Sequence, residues 1–121
     1  MVQQKNQFEK HRAERYRLEL LKVKNKSDCE DLVNIDVYND GEEAGAWMTC
    51  LDEVFVGVKS VKVLGHEVNF MGFGIQNDNS VFAVCKSGKK TAHVSIGSIE
   101  WPKLAKVQKI WLSAWNERAG S

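Results

Sequence analysis

Cys85 and His93 are the two residues of this chain whose types and spacing come nearest to a catalytic pair. A cysteine beside an imidazole can act as a nucleophile when a third group orients the base. No third group stands out, and Cys85 follows the apolar run Val81-Phe82-Ala83-Val84, which predicts a buried thiol. Nothing marks Asp52 or Glu53 as a general acid or base. The sequence therefore predicts no catalytic residue.

Metal binding has equally little support. His66, His93 and Cys85 are the one group with ligand chemistry, and it is small for a structural site. A calcium loop beginning at Asp36 fails because Trp47 stands where the bidentate glutamate is needed. The three cysteines form no CxxC pair. We therefore predict neither a metal nor another cofactor.

Basic residues are the remaining candidates for chemistry, and they occur in three groups. Lysines near phosphates release counterions and so provide affinity for nucleic acids. The groups lie at the tip of an expected hairpin, along one flank of the last expected helix, and in the first expected helix. The predicted nucleic-acid-binding residues are Lys86, Lys89 and Lys90, then Lys103, Lys106 and Lys109, and finally Arg12 and Arg15.

Exposed aromatic rings would strengthen this interpretation, because they stack on single-stranded bases. Trp101, Trp111 and Trp115 are the candidates. Trp111 and Trp115 are four residues apart on an apolar helix face, which favours a place in the core. The lysines of a hairpin tip are more often solvated surface than a phosphate hook. The nucleic-acid signal in the sequence is accordingly weak.

Composition limits the remaining classes. The chain has 121 residues, 43% of them hydrophobic and 27% charged, which fits one domain with a real core. The net charge of +1 hides an acidic stretch, residues 31–60, between two basic segments. No apolar run is long enough to span a bilayer, and the charged first residues are unlike a secretory signal. We expect a cytoplasmic protein with no membrane partner.

The elements that must position these residues follow from periodicity. Helices are expected over about 5–22 and from Pro102 onward. A central helix is expected with Glu42 and Glu43 near its N-terminus and an apolar face from Trp47 to Val58 that includes Leu51 and Phe55. Residues 53–60 also suit a strand. Alternating residues predict a strand over 32–38, and Asn39-Asp40-Gly41 a turn after it.

Glycine-bounded short strands dominate residues 61–101. They are VKVLGHEVNFMGFG with a hairpin turn at Gly65-His66 and a bulge near Gly72 and Gly74, then SVFAVCK and TAHVSIGSIEW. This region resembles an SH3-like barrel of the KOW or Tudor type. We therefore expect an α+β fold in which a small curled antiparallel sheet or SH3-like partial barrel packs with N-terminal, central and C-terminal helices.

The domain is expected to cover residues 1–118, with 1–24 as a peripheral helix and Ala119-Gly120-Ser121 as an expression remnant. The leading hypothesis is a small non-enzymatic accessory protein that binds nucleic acid or a nucleic-acid-associated complex. Compact chains with few motifs are common among phage and mobile-element products. The alternative is a protein-interaction module or homodimer with no nucleic-acid contact. A small-ligand site or enzyme comes third.

Overall fold

The computed structural model describes residues 18–35 and 39–120. Its helices are α1 (Lys26–Val33), α2 (Asp40–Val54) and α3 (Lys106–Gly120), and residues 18–20 are also helical. Its strands are β1 (Ser60–Val63), β2 (His66–Ile75), β3 (Val81–Ser87), β4 (Lys90–Val94) and β5 (Ile99–Glu100). A 3-10 turn, Ile96–Ser98, precedes β5. The expected α+β architecture is confirmed.

The sheet is antiparallel throughout, in the order β4-β3-β2-β1-β5. The first four strands form a meander, and β5 returns to pair with β1. Within the described chain the pairings close no ring, so this is the small, open, curled sheet that the glycine-bounded strands predicted. Helix α2 packs on β2, while α1 and α3 pack on each other and on α2.

Helix α1 corrects the strand expected over residues 32–38. Asn25 caps the helix by accepting a hydrogen bond from the Asp28 amide at 2.9 Å. Cys29 and Val33, one helical turn apart, are fully buried. The alternating pattern predicted a strand with Ile35 on its buried face, but Ile35 is 57% exposed in the structure. Residues 36–38 lie outside the described residues, as do 5–17 of the expected first helix.

Helix α2 also begins where a turn was expected. Asn39 is its N-cap, and its side chain accepts from the Glu42 amide at 2.9 Å, so Asn39-Asp40-Gly41 starts a helix. The predicted apolar face is confirmed by the burial of Trp47 and Leu51. The helix ends at Val54, and the following residues 55–57 form a turn instead of continuing the helix or starting a strand.

Two hairpin turns define the ends of β2 and β3. Between β1 and β2 the turn residues are Leu64 and Gly65, both with positive φ, one residue earlier than expected. Between β3 and β4 they are Gly88, with φ of +61°, and Lys89. The expected bulge is confirmed, since the β2–β3 register shifts between Phe70 and Gly72.

Helix α3 begins at Lys106, four residues after the proline expected to start it. Gln108 fixes this start because its Oε1 accepts from the Ala105 amide at 2.9 Å. The expected apolar face is confirmed: Trp111 is fully buried, and its Nε1 donates to the Leu20 carbonyl at 2.9 Å. This bond holds the end of the N-terminal segment against α3. No helix in the described residues has the length and apolar character to cross a bilayer.

Candidate nucleic-acid interface

Cys85 and His93 occupy neighbouring strands but opposite faces of the sheet. Cys85 points into the core and is 3% exposed, whereas His93 is exposed and stacks on Phe82 with ring centroids 4.1 Å apart. In the register Cys85 lies opposite Ala92, and His93 lies opposite Val84. Burial also raises the pKa of the Cys85 thiol, which disfavours the reactive thiolate. This pair is therefore not a nucleophile and its base.

The buried Cys29 thiol makes the free energy of unfolding, and not a reaction, depend on pH. Burial raises the pKa of its thiol from an ordinary value of 9.0 to about 12, and nearby Asp28 adds to the effect. Above pH 9 the unfolded chain therefore releases this proton while the folded chain keeps it.

The free energy of unfolding is expected to fall as the pH rises from about 9 towards about 12. Urea unfolding followed by circular dichroism at about pH 8 and about pH 11 measures this. A Cys29→Ala variant is the control, because other titrating groups act on it equally. An equal pH slope in both proteins would contradict the prediction.

The tryptophans proposed as base-stacking platforms belong to the core. Trp111 is fully buried, and the edges of the Trp111 and Trp115 rings pack against Trp47 with centroids 6.0 and 5.7 Å away. Trp101 is half-buried and packs with Phe55 and with two phenylalanines of β2. The core position that helical spacing favoured for Trp111 and Trp115 fits this packing, and none of the three rings is presented as a free platform for stacking on bases.

A basic groove of about 570 Å³ lies between the start of α1 and the first turns of α3. Three lysines line it, together with two serines, an asparagine and an isoleucine, and no carboxylate is among its lining residues. The lining residues are Asn25, Lys26, Ser27, Lys106, Lys109, Ile110 and Ser113. The surface of the groove is largely apolar, so the lysines line it mainly with their aliphatic stems. Their ammonium groups and the serine hydroxyls are of the kind that binds a phosphate backbone.

Of the lysines that line this groove, Lys106 and Lys109 were predicted from the sequence as nucleic-acid-binding residues and Lys26 was not. Lys26 and Ser27 lie in the first turn of α1, a helix that was not predicted from the sequence. The groove therefore exists only because α1 packs against α3. Lys26 also forms an ion pair with Glu117 at 2.5 Å, and both side chains are largely exposed. Exposed pairs of this kind are weak and screened by salt, so Lys26 can exchange partners.

A second cleft, of about 490 Å³, lies beside the β3–β4 hairpin. Lys86 and Gly88 line it on the hairpin side. On the other side are Lys59 and two exposed apolar residues, Val56 and Met71. Lys89 and Lys90 are exposed beside it at the hairpin turn.

Of the predicted lysines, Lys106 and Lys109 thus line one cleft and Lys86 lines the other. Gln108 donates to the Val54 carbonyl at 3.2 Å, so its side of α3 faces α2. Helical spacing places Lys106 and Lys109 away from that side, beside α1. Lys103 is exposed in the segment before α3 and lines neither cleft. Arg12 and Arg15 lie outside the described residues.

Metal-ligand chemistry gains no support from the coordinates. Within residues 18–35 and 39–120, no group of three or more histidine, cysteine, aspartate or glutamate side chains is placed to hold a metal ion.

Comparisons with known proteins add the fold and no function. No protein-family model matches the chain, and no curated protein sequence is significantly similar to it. The crystal structure of CcbP from Anabaena is similar in fold, with a TM-score of 0.59 and 14% sequence identity. The match covers 78% of this chain and 90% of that chain. At this identity the likeness shows that the two chains share a fold.

Proposed function

We propose that this protein is a non-catalytic binding module that contacts the phosphate backbone of a nucleic acid through the groove between α1 and α3. One observation carries the proposal: three lysines line a single groove whose lining includes no carboxylate. Cations held close together attract phosphates more strongly than the same cations dispersed over a surface, although the ion pair of Lys26 with Glu117 offsets part of this attraction.

The chemistry of the groove suits backbone contact more than base recognition. Lysine is a flexible point charge, and Ser27 and Ser113 can donate hydrogen bonds to phosphate oxygens. No aromatic side chain lines the groove, so it offers no platform on which a base would stack. We therefore expect binding with little sequence preference and with a strong dependence on salt.

The double substitution Lys106→Glu/Lys109→Glu is expected to weaken binding to a 20-base-pair duplex and to shorten retention on heparin. Loss of two phosphate contacts makes the plot of log Kobs against log salt less steep, reducing the magnitude of its slope by about 2. Both positions are in the first turn of α3, where the helix dipole stabilises acidic residues, so the fold should persist. Fluorescence anisotropy over a salt series measures the slope.

Lys89→Glu/Lys90→Glu is the matched control, because it changes the net charge equally at the hairpin turn, outside the groove. The groove variant must lose more affinity than this control. If the groove variant binds as the unaltered protein does, the proposal is wrong. Equal losses in both variants would mean that net charge alone, and no particular site, attracts the nucleic acid.

A further inference from the structure

Strand β4 forms one edge of the sheet, and its backbone is the starting point for an inference independent of the proposed function. Within the described residues β4 pairs with β3 alone. Its first four residues are exposed, and only Val94 is partly buried. An edge strand of this kind offers unpaired N–H and C=O groups to another extended chain.

The register shows which backbone groups are free. Ser87 and Lys90 flank the two-residue turn, so they form a hydrogen-bonded pair, and pairs alternate along the ladder. Ala92, opposite Cys85, is then also hydrogen-bonded to β3. The N–H and C=O groups of Thr91 and His93 consequently point away from β3, towards the open edge.

The positive charge of the β3–β4 hairpin indicates which kind of strand would bind at this edge. The hairpin from Val81 to Val94 contains three lysines and a histidine but no aspartate or glutamate. Lys86 lies opposite Thr91, while Lys89 and Lys90 lie at the turn end of the edge. Antiparallel pairing of two copies of β4 about Ala92 would place Lys90 opposite Val94 of the second copy, so self-pairing gains no charge complementarity from these lysines. An acidic strand gains attraction from the same lysines.

We propose that β4 binds an acidic, extended segment of a partner protein by β-strand addition. The partner backbone pairs with Thr91 and His93, and its carboxylates lie near the lysines of the hairpin. Main-chain hydrogen bonds supply affinity in this mode of recognition, and side chains supply specificity. The proposal uses the β4 edge, whereas the proposed nucleic-acid contact uses lysines of the groove between α1 and α3.

The decisive variant removes one backbone donor and no charge. Thr91→Pro deletes an N–H that points to the open edge, where proline is tolerated, and leaves the β3–β4 ladder intact. Ala92→Pro is the matched contrast, because it deletes an N–H that pairs with β3 and should destabilise the fold. The melting temperatures of the two variants test where these N–H groups point. If Thr91→Pro lowers the melting temperature as much as Ala92→Pro does, the inference is overturned.

The probe is the capped peptide Glu-Val-Glu-Val-Glu, with Gln-Val-Gln-Val-Gln as its neutral counterpart. On ¹⁵N-labelled full-length protein, the acidic peptide is expected to shift the amide signals of Thr91 and His93 saturably and to slow their hydrogen exchange. Thr91→Pro should weaken binding about tenfold or more, and Lys89→Glu/Lys90→Glu should also weaken it. The neutral peptide should bind less tightly.

Four results would overturn the proposal. The first is that the acidic peptide binds Thr91→Pro as tightly as the unaltered protein, and the second is that it binds neither protein. The third is that hydrogen exchange at Thr91 and His93 is already slow and concentration-dependent in the free protein, which would assign the edge to a second copy.

The fourth is that duplex DNA displaces the peptide and binds the Thr91→Pro variant as well as it binds the unaltered protein, which would assign the hairpin lysines to nucleic acid. Duplex binding through Lys106 and Lys109 is unaffected by any of these results, so the two proposals can fail separately.

Discussion

Replacing Gly72 with alanine is expected to lower the free energy of unfolding by about 3 kcal/mol. Gly72 lies at the β2 bulge with φ of +117°, a conformation that residues with a Cβ rarely adopt. A Cβ built there would lie 2.6 Å from Oδ1 of Asp52. The same Oδ1 accepts the Phe73 amide at 3.0 Å, so Asp52 cannot move aside without breaking that bond. The added methyl group therefore incurs backbone strain and a lost hydrogen bond together.

Urea unfolding of Gly72→Ala and of three further variants tests this explanation. Gly45→Ala is the control, since Gly45 is inside α2 with nothing within 4 Å of an added Cβ, and it should gain about 0.5–1 kcal/mol. Asp52→Ala alone should cost about 1–2 kcal/mol by leaving the Phe73 amide unpaired. The double variant with Gly72→Ala should cost less than the sum. A neutral Gly72→Ala, or strict additivity, would contradict the close approach of α2 to the bulge.

Replacing Trp111 with phenylalanine is expected to cost about 3 kcal/mol, and the same replacement at Trp47 about 1–2 kcal/mol. Both indoles are buried, so the two variants leave cavities of similar size. Trp111 Nε1 donates to the Leu20 carbonyl, and its loss leaves that buried acceptor unpaired. Trp47 Nε1 is buried with no hydrogen-bond acceptor among the described residues, so phenylalanine there removes an unpaired polar group.

Denaturant midpoints of the two variants measure the difference, and hydrogen exchange locates its origin. In Trp111→Phe, amides near Leu20 should exchange faster, because the indole bond holds this segment on α3. In Trp47→Phe they should keep their protection. Equal stabilities for the two variants would mean that cavity size alone decides the cost.

The hairpins could be predicted from the sequence because their signals are local. Gly65, Gly72 and Gly88 all have positive φ; Gly65 and Gly88 lie in turns between strands, and Gly72 lies at the bulge within β2. The apolar faces of α2 and α3 were predicted for a related reason, since Trp47, Leu51 and Trp111 recur at helical spacing and are all buried.

The errors near α1 and α2 arose from two asparagines. Asn25 and Asn39 both precede an acidic residue by three positions, a spacing typical of helix starts, and each caps its helix. Asn25 was not recognised as a cap, and Asn39 was interpreted as part of a turn because asparagine suits turns as well as helix starts. The β-branched residues near Val33 then favoured a strand, although packing of Cys29 and Val33 into the core stabilises a helix.

The sequence by itself determined the class of fold, the positions of the β1–β2 and β3–β4 hairpins, and the types of residue available for binding. Periodicity and turn chemistry act over a few residues, so they can be inferred from neighbours along the chain. Only the tertiary structure decided which lysines share a groove, since α1 brings Lys26 beside Lys106 and Lys109. It also separated Cys85 from His93, because the pleat of the sheet directs their side chains to opposite faces.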